Sequence, residues 1–408
     1  MTPLSKYGCL ALLLVFSLNL FASEKENNRV PKYSFRGYIK DLRTASFNKV
    51  DEDWIFDNLI HNRLQLKWFP CDVFTFDIEV RNRIFYGEAV ETFNTFIPLV
   101  PSLEAQFPTY GKFIDQDFGL VDLSHSWLDE YSFVAHTAID RLWVEFVKGK
   151  VQLRLGRQRI NWGINFAWNP HDLFNSYSFV DFDYEERPGT DGIRLQVYPG
   201  SLSQFEFAIA PDKDSLEQSI AAVLYKFNKA QFDWQFIAGS FREKMVLGAG
   251  FDGAIKSVGF RGEFSYFHPF SDFKNEQGKL VGGISGDYTM KSSLSFGLEV
   301  LFNSNYEPEP VSILEGSLNA TGPDQLFPAE WAIFGRMGYN ITPLLRGDVS
   351  AAWSPDEDFY FISPVLSISM KENLDLILMA QIFKGDFEAN PFLFEHQLFA
   401  RLKYSFAR

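Results

Sequence analysis

Cysteine is almost missing from this chain of 408 residues: there are two, Cys9 and Cys71. Cys9 lies in an apolar leader expected to be removed. The mature chain can then form no internal disulfide, and a thiolate metal site is excluded with it. Long apolar runs are just as scarce. Beyond residues 9–21 no run approaches the roughly 18 residues that a membrane-spanning helix needs. Positive charge is in deficit, with 38 Lys and Arg against 52 Asp and Glu and a formal net charge of -14. That balance is a poor match for nucleic acid or an anionic cytoplasmic leaflet. The histidines are His61, His125, His136, His171, His268 and His396. None pairs with another at the i,i+2 or i,i+4 spacing of metal ligands, so no metal is expected. No glycine-rich phosphate loop and no dinucleotide fingerprint occurs, so no cofactor is expected either.

The start of the chain reads as an export signal. Lys6 precedes the apolar run 9–21, and Ala22 and Ser23 place small residues before the polar stretch 24–28. This is the pattern of a Sec signal peptide, residues 1–22, cleaved near Ala22 or Ser23. Cys9 is a poor lipidation site, because Lys6 and Tyr7 stand where small or apolar residues belong. The remainder, 23–408, shows no linker, low-complexity tract or clean internal repeat and is expected to be one domain.

Aromatic residues are abundant: they make up 17% of the chain, and 44 residues are Phe. Their distribution is more telling than their number. In the last segment, 397–406, Leu398, Ala400, Leu402, Tyr404 and Phe406 share one strand face, and Gln397, Arg401, Lys403 and Ser405 share the other. Phe399 alone breaks the alternation. Period-two alternation of this length suits a strand with lipid on one side and water on the other. A mean hydropathy of -0.11 does not argue against membrane residence, since half of each barrel strand is polar.

About 18 such segments, each long enough to cross a bilayer as a strand, run from 34–42 to 397–406. Connector lengths test the idea separately. Short Gly-, Pro-, Asn- or Ser-bearing turns, such as 70–72, 148–150, 199–201 and 371–373, alternate with a mostly longer set that includes 84–138, 159–191 and 304–330. Short turns at one end and long loops at the other are expected of outer-membrane barrels. The expected fold is therefore all-β: a single antiparallel transmembrane β-barrel of about 18 strands, 16 being the alternative, with both chain ends on the periplasmic side.

The most distinctive loop joins the fifth and sixth expected strands. It carries Gly156, Arg157, Gln158, Arg159, Trp162 and Gly163, then Asn169, Pro170, His171 and Asp172, then Arg187, Pro188 and Gly189. A loop of this length inside a compact barrel calls for a function. It is expected to fold inward, with Trp162, Phe166 and Trp168 on the inner wall and Arg157 and Arg159 at a constriction. Replacing Arg157 or Arg159 by Ala should then alter ion selectivity without altering folding. The G-R-Q, W-G, N-P-x-D and P-G pattern resembles that of poorly characterised Gram-negative outer-membrane barrels, and the G-R-Q strand end is similar to alginate-export barrels. The resemblance covers about 40–50 residues and implies a porin-like or export role without naming the cargo.

Strand parity places many bases toward the lumen: Arg36, Lys40, Arg63, Lys67, Arg81, Arg83, Arg141, Arg154, Arg194, Arg261, Arg336, Arg346, Arg401 and Lys403. The inward acids are fewer: Asp77, Glu79, Glu145, Glu206, Asp233, Glu263, Glu299, Asp348 and Asp375. A basic wall in a low-dielectric shell favours anions, and pairing between strands would cancel that field. The loop 84–138 is expected to be a plug, a lid or a partner-binding loop. Asp122, Ser124, His125 and Ser126 bring together the side chains of a hydrolase, but triads are made by spatial convergence rather than local clustering, so no catalytic residue is assigned. The expected function is a porin-like outer-membrane channel for passive diffusion of small polar solutes, with anions favoured. A polysaccharide exporter or glycan-specific channel and a plugged binding barrel are the alternatives. The expected partners are outer-membrane lipid, the barrel-assembly machinery and a small polar solute or glycan. Nucleic acid is excluded, and association of copies is left open.

Overall fold

A computed structural model describes residues 32–99, 107–117, 119–175, 189–271, 273–304, 306, 322–327, 329–356, 359–384 and 396–407. The expected signal peptide 1–22 lies outside these residues, as do Arg187 and Pro188.

Nineteen strands follow in order: β1 (Tyr33–Phe47), β2 (Ile55–Cys71), β3 (Phe74–Gly87), β4 (Ser124–Glu130), β5 (Phe133–Lys148), β6 (Val151–Gln158), β7 (Thr190–Gly200), β8 (Ser203–Ala210), β9 (Ile220–Lys229) and β10 (Phe232–Phe241). They continue with β11 (Lys244–Ile255), β12 (Val258–Pro269), β13 (Lys279–Thr289), β14 (Ser295–Asn303), β15 (Trp331–Thr342), β16 (Leu345–Ser354), β17 (Phe359–Lys371), β18 (Leu374–Lys384) and β19 (His396–Ala407). All pair antiparallel with their neighbours. β1 pairs with β19, from Arg36 opposite Ala407 to Phe47 opposite His396, and so closes the sheet. Because β5 pairs directly with β3, the ring contains 18 strands, and β4 is an addition to it. Closure leaves no free edge, the only way a sheet satisfies its backbone in hydrocarbon.

The alternation read from the sequence is the alternation of the wall. In β14, Phe296 and Leu298 are exposed on the outer face, while Glu299 and Leu301, on the other face, are fully buried. Trp68, Phe74 and Phe76 lie near the turn between β2 and β3 on the outer face, as a girdle requires. Phe399, the apparent exception in β19, points inward and packs against a buried cluster of Leu42, Leu59, Phe85, Val90 and Val134.

Two features depart from the expected pattern. The first lies in the expected loop 84–138, which is largely structured. β3 continues to Gly87, a helix spans Glu88–Phe96, a shorter helix spans Tyr110–Ile114, and β4 forms a hairpin with an extended β5. β4 is short and polar, so it presents no apolar face to read. It pairs with the part of β5 beyond the end of β6. The second is a bulge in β5. Val80 faces Ile139 and Glu79 faces Arg141, which leaves Asp140 as the extra residue. Asp140 and Arg141 are both buried, where strict alternation would turn one of them outward.

Candidate functional site

The loop after β6 folds into the barrel, as expected. Ile160, Trp162, Trp168, His171 and Leu173 are almost completely buried. They pack on inward residues of the wall from β8 to β17, including Leu224, Ile237, Phe267, Leu301, Phe334 and Phe361. Burying this much loop would strand backbone N–H groups without water, at a cost comparable to a lost hydrogen bond for each. Two wall carboxylates meet that demand. Glu263 of β12 accepts from the N–H groups of Ile164, Asn165 (3.0 Å) and His171 (3.0 Å). Glu299 of β14 accepts from those of Phe166, Ala167 and Trp168, each at 2.9 Å.

Neighbouring strands add further ties. The Trp162 indole N–H donates to Glu206 of β8 (2.7 Å), and the Gln235 amide of β10 donates to the Trp162 carbonyl (3.0 Å). Ser265 of β12 donates to the Pro170 carbonyl (3.0 Å), and Ser285 of β13 to the Asn165 side chain (3.1 Å). His171 Nε2 donates to the Phe264 carbonyl (3.2 Å), so Nδ1 is the nitrogen that accepts from Gln235. Burial pushes the His171 pKa down to about 4, and the charge of Lys226 acts in the same direction. The imidazole is therefore neutral at neutral pH.

The loop motif sorts into local roles. Gly156 adopts φ +113, a region that favours glycine, next to the backbone of Leu142. Gly163 lies directly against the Asn169 side chain, which leaves no room for a Cβ. The Gln158 amide donates to the carbonyls of Arg154 (3.2 Å) and Gly192 (3.1 Å), bracing the point where the chain leaves the wall. Pro170 and Asp172 lie in the buried turn with Asn169, and Gly189 leads back to β7.

Six of the bases expected to line the lumen are ion-paired with acids. Arg63 bonds Glu79 (2.5 Å) and Asp140 (3.0 Å), and Arg81 also reaches Asp140 (3.0 Å). Arg154 pairs with Glu145 (2.6 Å), Arg194 with Glu206 (2.6 Å), and Arg346 with Asp348 (2.7 Å). Arg141 donates to the Asp140 carbonyl (2.8 Å), and Arg83 to that of Ile114 (3.5 Å). Lys67 and Arg154 lie over the Trp143 ring, at 5.7 and 4.1 Å. Arg401 is buried, whereas Arg159 is exposed.

Arg157 is not at the constriction. Its register opposite Leu142 and Asp191, with Leu155 opposite Ile193, puts it on the outer face of β6. There it pairs with Asp191 (2.7 Å) and Asp117 (2.6 Å) and donates to the Val121 carbonyl (2.7 Å), which pins the segment before β4 against the wall. Burial works to raise the Asp117 pKa. The hydrogen bond from Arg157, with the N–H groups of Leu123 and Gly119, outweighs it and holds the carboxyl below its usual range.

Two arginines differ from the rest. Arg336 of β15 lies 3.8 Å from the centre of the Phe166 ring, and Arg261 of β12 lies 4.5 Å from it. Arg261 pairs with Asp287 (2.8 Å), but Arg336 makes no ion pair among the described residues. Arg336 also lies across Gly297, where a Cβ would be 2.7 Å from Nε. The serine and histidine side chains near β4 do not converge. Ser124 donates to Asp122 (3.0 Å) and Ser126 to the Gly111 carbonyl (3.1 Å), while His125 occupies the alternate strand position. Sequence reasoning missed Asp140, the roles of Glu263 and Glu299 as loop acceptors, and the face of Arg157. The two inward glutamates were the available signal.

No protein-family model matches the chain, and no curated protein does. Solved structures do. The outer membrane protein OprD from Pseudomonas aeruginosa is 8% identical, over 93% of this chain and 94% of that one, with a TM-score of 0.59. OccK3 of the same organism is 10% identical, over 92% and 96%, with a TM-score of 0.56. OccAB3 of Acinetobacter baumannii is 12% identical, over 93% and 100%, with a TM-score of 0.53. At these identities the likeness is one of fold alone: this chain shares the closed β-barrel architecture of these outer-membrane proteins.

Proposed function

We propose that this chain is a channel of a bacterial outer membrane for passive diffusion of small polar solutes, with anions favoured at the inward loop. Export through the signal peptide and insertion by the barrel-assembly machinery follow from that placement. The solved outer-membrane barrels of the same architecture support the reading. The observation that carries it is Arg336, a guanidinium that makes no ion pair among the described residues and is stacked on Phe166 of the inward loop. Six other lumen bases, Arg63, Arg81, Arg154, Arg194, Arg261 and Arg346, are ion-paired with acids, which offsets much of their field. A low-dielectric wall strengthens what remains near Phe166.

The glycan alternative needs aromatic faces open for stacking. The rings of Trp143 and Phe166 are instead occupied by basic side chains. The test is single-channel recording of the refolded mature chain in a planar bilayer under a salt gradient. Stable conductance with an anion-shifted reversal potential is expected, and Arg336→Ala should move it toward cations. The proposal fails if the folded barrel shows no conductance. An unchanged reversal potential in Arg336→Ala would remove the selectivity assignment.

A further inference from the structure

The inward loop rests on β12 and β14 through Glu263 and Glu299. One inward step from Glu299 toward the short turns, the wall changes character. Arg336 of β15 stands opposite Gly297 of β14, Gly297 opposite Asp287 of β13, and Asp287 opposite Gly259 of β12. Glycines and charges therefore alternate along this row. Glycine in a strand interior weakens the sheet and marks a close approach. Gly297 is not required by its backbone, since positive φ among the described glycines is confined to Gly87, Gly149 and Gly156.

What lies over these glycines differs. A Cβ on Gly259 would stand 2.5 Å from Asp287 Oδ1, the tip of a side chain that can turn aside. A Cβ on Gly297 would stand 2.7 Å from Arg336 Nε, 2.9 Å from its Cγ and 3.3 Å from its Cδ. That is the stem of the side chain, so the whole arginine would have to move. Its escape toward the lumen is closed, because the Phe166 ring covers the guanidinium at 3.8 Å. Phe166 is itself fixed by Glu299, the next inward residue after Gly297, which accepts its N–H at 2.9 Å. Arg336 nonetheless remains exposed. By contrast, a Cβ on Gly335, on the outer face beside Arg336, would meet nothing within 4 Å apart from its chain neighbours.

We infer that Gly297 is a positioning residue for selectivity: it lets Arg336 lie flat between the β14 backbone and Phe166, and so fixes where this charge stands beneath the inward loop. The inference deepens the channel reading proposed above. A long side chain free on a wet wall samples many rotamers and spreads its charge over them. Held between a backbone below and a ring above, the guanidinium keeps one place. A methyl group at position 297 fills the space that the stem occupies, and interiors packed this closely do not absorb it. Arg336 then has to leave the stack on Phe166.

The test is a double-mutant cycle between Gly297→Ala and Arg336→Ala, with Gly335→Ala as the control. Two quantities are read: the reversal potential in a planar bilayer, and the temperature at which the barrel loses its folded gel migration. Gly297→Ala is expected to shift the potential toward cations and to lower that temperature, and to do neither once residue 336 is Ala. If Gly297→Ala alone does not fold, folding of the double variant would support the same contact. Equal effects in both backgrounds, or none in the native one, would overturn the inference. So would an equal effect from Gly335→Ala. A conducting barrel with either of those results leaves the channel reading standing. A temperature shift that depends on Arg336, in a barrel without conductance, would support the positioning and defeat the channel reading.

Discussion

The two sides of the lumen are built on opposite principles. From β2 to β7 the inner wall is ionic, with Arg63, Arg81, Asp140 and Glu79 in one buried network and Arg154–Glu145 and Arg194–Glu206 beside it. From β8 to β17 it is largely apolar where the loop rests, and two of its buried glutamates, Glu263 and Glu299, bind loop backbone instead of bases. The ionic side presents a surface of paired charge. The apolar side is covered by the chain itself. What is gathered over it is Phe166 with Arg336 and Arg261, residues that belong to different elements.

The comparison can be broken from either side. The largest effect is expected from replacing both Glu263 and Glu299 by Ala, which leaves six loop N–H groups without an acceptor. A loss of about 5 kcal/mol is expected, with higher single-channel conductance and proteolysis within 159–175. Unchanged conductance in a folded variant would show that the loop does not narrow the lumen. On the ionic side, Asp140→Ala removes the carboxylate that Arg63 and Arg81 share. It should cost about 3–5 kcal/mol in denaturant unfolding, and a smaller loss would mean that water screens the network.

Arg157→Ala should act locally, loosening the segment before β4 by about 1–3 kcal/mol, read as faster proteolysis there. Its reversal potential should stay native; a shift would return Arg157 to the permeation path. The smallest effect concerns pH. The folded-state pKa of His171 is depressed from 6.5 to about 4, so the unfolded loop takes up the proton first. Stability is then full above about pH 6.5 and falls as pH drops toward 4. His171→Gln should flatten that part of the pH-stability profile, and an unaltered profile would place the titrating group elsewhere.

Much of the barrel was legible because membrane strands obey a local rule. Leu64, Leu66 and Trp68 opposing Arg63, Gln65 and Lys67 declare their faces without reference to any other strand. The inward loop was legible too, from its length and its tryptophans. β4 was not, because a short polar strand standing apart from the lipid band has no apolar face to show. Asp140 was not, because a bulge is decided by how two strands pair and leaves no mark in the alternation of one. Arg157 was misplaced for another reason: it reads as part of the loop motif, although the alternation that turns Arg154 inward already turns it outward.

By itself, then, the order of residues determined the class of fold, the number of strands in the ring and the loop that turns inward, since each follows from periodicity over ten residues or from connector length. Tertiary structure decided which charges remain to act. Whether an arginine is neutralised depends on carboxylates brought beside it by pairing, as with Arg63 and Asp140. What Glu299 holds depends on backbone more than a hundred positions away in the chain. Those distances are set only when the sheet closes.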